Sequence, residues 1–384
     1  MCNKKDFYYG FLDTLRTIAM VLVLLRHSIR PFLSDVSPEA TIDDIIWIPV
    51  KNLMANGWVG VDLFFLLSGF LIAQPFLKSS RSSIKKFYLN RVLRIFPAYF
   101  TVLALVIAGA FPYYAMAAET SAKAIISHIF FMQDYTGSQI NIVFWSLGVE
   151  LKFYLLAPFV LILTGRYVQS RQWLKAYAPI ITIILLAPLL RLFIYTSYGG
   201  VQDYYEFFRV MRSPFHVNID SLFFGVLLAL LFKQIQPHIG TSSKTGKKWV
   251  QFLFVSLCCG TVYFLMSHEF HAEITFFDAV FQTFILSMLF FGVALLGLCC
   301  LDTYTAGPVS RWGAKLSYST YLVHWPLVPS CLFLPAIFGI GSVYHSLDSA
   351  LFFMVGLWTT SLILAFMIYT LIETPFLRFK SKKS

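Results

Sequence analysis

Apolar residues run along this chain in long blocks, separated by short polar and basic stretches. Ten blocks come near the 20 residues a helix needs to cross the hydrocarbon core of a bilayer. They lie at 12–32, 57–77, 95–114, 140–163, 176–197, 214–232, 250–267, 277–300, 316–338 and 349–371. The stretch 122–133 is apolar but short, and reads as interfacial or re-entrant. The pattern predicts an all-α polytopic transmembrane bundle of about ten helices. The first block lacks a small-residue cleavage site and carries charge inside it, so it reads as a retained helix and not a signal peptide. With no internal repeat or low-complexity tract, the expected organisation is one membrane domain over 1–384 without an appended soluble domain.

Composition supports this. The 384 residues are 58% hydrophobic and 13% charged, with a mean hydropathy of +0.71. Soluble chains are nearer half apolar and a quarter charged. Forty Phe and 20 Tyr suit lipid contact and interfacial belts. A net charge of +11 raises nucleic acid as a partner, and its placement argues against one. Of the 30 Lys and Arg, 21 fall on one side of the alternating loops and four, Lys51, Lys123, Arg209 and Arg212, on the other. That asymmetry sets orientation and puts both termini in the cytoplasm. The outer loop 33–56, with Asp35, Glu39, Asp43 and Asp44, is expected to cap the bundle. The Cys residues show no metal-ligand or disulfide spacing, so no metal is expected.

Five basic residues fall inside the blocks: Arg16, Arg26, Arg30, Lys152 and Arg191. Charge at the centre of a membrane helix costs about 2.5–3.5 kcal/mol on insertion scales, so such residues usually face the bundle interior or a wet cavity. Arg16 and His27 are eleven residues apart, within about 20° of three full turns, and share one helix face about 16 Å apart along the axis. Arg16 falls near the cytoplasmic boundary and His27 deep in the membrane. They read either as a snorkelling Arg and a core His, or as a functional pair. Ser146, Glu150 and Tyr154 recur every four residues and form one polar stripe. A direct Glu150–Lys152 pair is disfavoured, because those side chains lie about 200° apart. Glu150 is a candidate to face a histidine and raise its basicity.

Asp62, near the outer end of the second block, reads equally as a helix partner or a cavity residue. Gly69, beside Ser68, permits close helix packing. Arg91 and Arg94 share a face beside Lys85 and Lys86; two guanidinium forks there suit a polyphosphate, or anionic lipid. The segments Leu316–Pro326 and Ile372–Pro375 read mainly as architecture.

Taken in order, these pieces resemble the acyltransferase-3 family of membrane O-acyltransferases. They are Leu12-Asp13 through Arg16 to His27; Gly60-Val61-Asp62-Leu63-Phe64-Phe65 with Ser68-Gly69-Phe70; and Phe87-Tyr88 with Arg91-x-x-Arg94. Trp145-Ser146-Leu147 follows, with Glu150 and Phe153-Tyr154, then Ser317-Tyr318 with Tyr321 and His324-Trp325-Pro326, and last Ile372-Glu373 with Pro375. The resemblance covers Leu12 to Phe376. This chain departs from it at Arg26, usually apolar in relatives, and at Leu151-Lys152 after Glu150, where relatives often carry a second acidic residue or a glutamine.

The resemblance implies transfer of an acyl group, often acetyl, from cytoplasmic acyl-CoA to a glycan or lipid-linked sugar at the outer face. O-antigen and other surface polysaccharides are common acceptors in the family, which points to a bacterial inner membrane. It implies a functional pair at Arg16 and His27, and donor phosphates at Arg91 and Arg94, helped by Lys85 and Lys86. On this reading His27 is the base or the transient acyl acceptor, Glu150 orients it, and Ser146 or Tyr154 supports the oxyanion. Asp62, Arg26 and Arg30 fall toward the substrate. Arg26, Arg30, Arg191, Arg209 and Arg212 are expected to favour an acidic acceptor. The rival class is a transporter or flippase, which more often shows inverted repeats; none is visible here.

Overall fold

The computed structural model describes residues 10–32, 47–78, 84–114, 122–201, 203–239, 243–267, 274–301, 304–339 and 347–382. Lys4, Lys5, Arg81 and Lys383, which entered the charge asymmetry, and the acidic residues Asp35, Glu39, Asp43 and Asp44 lie outside the described residues. Among the described residues there is no strand, and ten helices have 19 residues or more. We number them α1 (Gly10–Ile29), α2 (Gly60–Lys78), α3 (Ile84–Ile107), α4 (Trp145–Gln169), α5 (Trp173–Ser197), α6 (Ile219–Ile239), α7 (Lys244–Ser267), α8 (Gln282–Cys300), α9 (Pro308–Leu332) and α10 (Leu347–Ile368).

Eight helical stretches among the described residues are both long and apolar enough to cross a membrane. The two long helices outside that group are α1 and α9. They carry Asp13, Arg16, Arg26 and His27, and Arg311, Lys315 and His324 respectively. These two pack along each other, so the helices that hydropathy favours least share an interface inside the bundle. The chain is a multi-pass membrane protein.

Helix α2 is the central staff. It packs on α6, α4 and α1, and Leu66, Phe70, Ile72 and Ala73 on it are wholly buried. Its approach to α6 is set by two glycines. A Cβ on Gly69 would sit 1.9 Å from the Leu222 carbonyl oxygen, and one on Gly225 would sit 2.0 Å from that of Leu66. Without side chains at these two points the backbones touch, which is how membrane helices gain packing energy where lipid supplies no hydrophobic drive.

Several boundaries differ from the expected blocks. The third block was expected to begin at 95, but α3 begins at Ile84, so Arg91 and Arg94 stand on a helix and not in a loop. Hydropathy marks where a helix enters hydrocarbon and is silent on how many polar turns precede it. The eighth block is split into Phe276–Val280 and α8, with a Thr275 capping box on the short piece. The tenth runs on through a π-helical turn, Tyr369–Glu373, into Thr374–Lys382. The short apolar stretch forms an eight-residue helix, Ala122–Ile129.

Candidate active site

Among the described residues, two neighbouring cavities open between α1, α2, α4 and α9. The first has about 820 Å³ of empty space, part of it open to solvent, and is lined by Arg16 of α1, Ser68 of α2, Arg91 and Arg94 of α3, and Glu150 and Tyr154 of α4. The polar stripe Ser146–Glu150–Tyr154 therefore faces one space, as its spacing predicts. Glu150 accepts short hydrogen bonds from Ser68 Oγ and Tyr154 Oη, and these two hydroxyls lie 3.2 Å apart. Arg91 lies over the rings of Phe87 and Tyr154, each 5.6 Å from its carbon Cζ. Arg94 is 3.7 Å from Glu373, which is 1% exposed in the π-helical turn and also accepts from Ser319. Three guanidinium groups and one carboxylate line this cavity, a surplus of positive charge that suits a phosphorylated ligand.

The second cavity, with about 630 Å³ of empty space, is lined by His27, Arg26, Arg30, Arg212 and the indoles of Trp58, Trp145 and Trp325, among others. His27 Nδ1 lies 2.8 Å from His324 Nε2, with ring centroids 4.8 Å apart. Trp325 sets its edge against the same ring at 4.9 Å. His324 is wholly buried, and its Nδ1 is held by the carbonyls of Tyr321 at 2.9 Å and Thr320 at 3.1 Å.

The two cavities meet at Val61 and Tyr321, which line both. Tyr321 Oη is 2.7 Å from Ser146 Oγ and donates to the Val143 carbonyl at 2.8 Å. A single helix, α1, thus sends Arg16 into one space and His27 into the other, which is what eleven residues on one face permits.

Some expected groupings change. Glu150 was the candidate partner of His27, but its hydrogen bonds go to Ser68 and Tyr154, and the partner of His27 is His324. Lys152 pairs with Asp134 at 2.6 Å and with the Phe131 carbonyl, not with Glu150, because the short helix Gln133–Thr136 packs against α4 beside it. Asp62, a candidate substrate contact, is wholly buried and lines neither cavity. It binds both terminal nitrogens of Arg212, at 2.8 and 3.2 Å. Arg212 itself lies between the rings of Trp58 and Trp145. Arg191, expected to serve an acidic acceptor, is buried against Asp220 and the carbonyls of Val217 and Val280. Arg26 donates to the Ala55 carbonyl at 2.8 Å, and Arg30 lies over Tyr204. Lys85 and Lys86 are exposed at the start of α3 and line neither cavity, since the face of α3 that carries Arg91 and Arg94 turns them outward.

Comparison with known proteins decides the family. The acyltransferase-3 model, described as an acyltransferase domain, matches residues 9–372. The chain belongs to the acyltransferase-3 family. Among its relatives is the peptidoglycan O-acetyltransferase OatA of Listeria monocytogenes, 24% identical over 350 residues. That alignment covers 84% of this chain and 49% of OatA, so the chain spans about half of that relative's length. Nodulation protein 10 of Rhizobium leguminosarum is 29% identical over 196 residues, 44% of this chain and 50% of that protein. A Caenorhabditis elegans protein named regulator of hypoxia-inducible factor 1 is 24% identical over 426 residues, 98% of this chain and 81% of that one. No solved structure matches the chain.

As an acyltransferase-3 protein the chain assembles its polar residues from several segments far apart in sequence. Two of these, read in the sequence as architecture, carry site residues: Ser317, Tyr318 and Tyr321 wall the first cavity, His324 holds His27, and Glu373 holds Arg94. The signal was available for the first of them. Ser317, Tyr321 and His324 follow the 0, 4, 7 spacing of one helix face, and an ionisable residue within a span is a site candidate by default.

Proposed function

We propose that this chain is a membrane O-acyltransferase that moves an acyl group, acetyl in the simplest case, from cytoplasmic acyl-CoA to a hydroxyl of a glycan or lipid-linked sugar. One observation carries the reading: a cavity holding Arg16, Arg91 and Arg94 shares a wall with a cavity holding His27. The first suits the phosphates and arm of the donor. The second is lined by three indoles that suit an acceptor ring, beside a histidine.

The distribution of Lys and Arg supports placing both termini in the cytoplasm and the Arg91/Arg94 cavity toward that side. A bacterial inner membrane agrees with the bacterial relatives. In the reaction, His27 takes the proton of the acceptor hydroxyl as its oxygen attacks the thioester carbonyl. The C–O bond forms, the C–S bond breaks, and the departing thiolate receives the proton from His27. Arg26 and Arg30 line the acceptor space and favour an acceptor with a negative charge, while the charge of Arg212 is matched by Asp62.

A flippase would also hold two cavities in line, but it releases no thiol. The test is purified protein with acetyl-CoA, following free thiol. The wild-type chain is expected to release thiol and His27→Ala to lose that activity. A wild-type rate in His27→Ala would sink the assignment.

A further inference from the structure

His324 presents two nitrogens to different kinds of partner. Its Nδ1 faces the carbonyls of Tyr321 and Thr320 at 2.9 and 3.1 Å. A carbonyl only accepts, so Nδ1 carries the hydrogen. In a neutral imidazole the other nitrogen then holds the lone pair. That nitrogen, Nε2, is the one 2.8 Å from His27 Nδ1. A lone pair needs a donor opposite it, so His27 carries its own hydrogen on Nδ1. The consequence passes across the His27 ring: Nε2 is left with the lone pair, on a residue that lines the second cavity.

We propose that His324 is the positioning residue of this site: it reads two backbone carbonyls of α9 and through them fixes the tautomer of His27, leaving Nε2 as the base. This rests on the reading above that His27 takes the acceptor proton. His324 thus joins the Val23 carbonyl, one turn back on α1, in orienting His27, since Glu150 is engaged by Ser68 and Tyr154. In the familiar triad a carboxylate holds the histidine tautomer. Here a neutral imidazole does so, and no extra charge has to be buried in the membrane. Trp325, the next residue along, sets its edge against the His27 ring and restrains its plane. When Nε2 of His27 gains the proton, the Nδ1–H bond to His324 Nε2 strengthens, as bonds to a charged donor do.

Two measurements test the proposal on the full chain in detergent. The first is nitrogen-15 NMR of histidine-labelled wild-type protein, with His27→Ala used to assign the signal. Nδ1 protonated and Nε2 bare is the expected tautomer; the reverse overturns the proposal whatever the variants do. The second compares variants in thiol release from acetyl-CoA. His324→Gln keeps a side-chain acceptor and is expected to retain most of kcat. His324→Met fills similar space without a strong acceptor and is expected to lose kcat by about 10²-fold with KM unchanged, the order of a general-base contribution. A folded His324→Met with wild-type kcat overturns it, and if that variant does not fold the NMR result decides alone. Activity surviving in His27→Ala would instead remove the base reading, leaving the tautomer question to the spectrum.

Discussion

Tyr321 Oη lies 2.7 Å from Ser146 Oγ, and Tyr321 is one of only two residues that face both cavities among the described residues. The hydroxyl pair is tied down further by the Val143 carbonyl, 2.8 Å from Tyr321 Oη and 3.2 Å from Ser146 Oγ, which accepts from Tyr321 when Ser146 donates to Tyr321. The ring therefore forms a wall whose hydroxyl is held by two polar atoms, Ser146 Oγ and the Val143 carbonyl oxygen. Any acyl group passing from the side of Arg16 to the side of His27 must pass this wall.

On the proposed acyl-transfer reading, the wall would set the size of group that crosses. Replacing Tyr321 with Ala removes the ring and its anchor. The expected outcome is a rise on the order of 10-fold in the ratio of hexanoyl-CoA to acetyl-CoA turnover, as a hydrophobic pocket discriminates chain length only modestly per methylene. Thiol release with both donors measures it, and an unchanged ratio would mean that chain length is read elsewhere.

Donor affinity should depend on α3. Arg91→Ala and Arg94→Ala each remove a group able to make charge-assisted hydrogen bonds, worth about 1.5–3 kcal/mol apiece. KM for acetyl-CoA is expected to rise by about 10- to 100-fold with kcat less affected, the pattern of lost uniform binding. Lys85→Ala and Lys86→Ala, outside the cavity, should leave KM near wild type. Equal effects from all four would point to anionic lipid in place of the donor.

The Asp62–Arg212 pair should behave as structure. Both side chains are buried, at 0% and 3% exposure, and breaking a buried pair by removing one partner costs about 3–5 kcal/mol because a charge is left behind. Asp62→Asn is expected to lower the melting temperature in detergent. Adding Arg212→Met to it should cost less than the sum of the single changes. Strict additivity would show that the two do not depend on each other.

Chain pattern determined a good deal here. Block length set the number of long helices, since the thickness of a bilayer is a fixed ruler. Spacing within one helix set which residues share a face: Arg16 with His27, and Ser146 with Glu150 and Tyr154. Helical geometry is local, so eleven or four residues of sequence suffice. Pairings between helices were decided by the tertiary structure alone. Helix spacing turns Lys152 away from Glu150, and only the close approach of the Gln133–Thr136 helix gives it Asp134. The sequence pointed to Glu150 as the group facing His27, and the packing of α1 along α9 brings His324 there instead, 297 positions away. Such contacts depend on which helix backbones come close. That is set in part by glycines such as Gly69 and Gly225, whose effect lies in the space they leave and not in any pattern they print on their own helix.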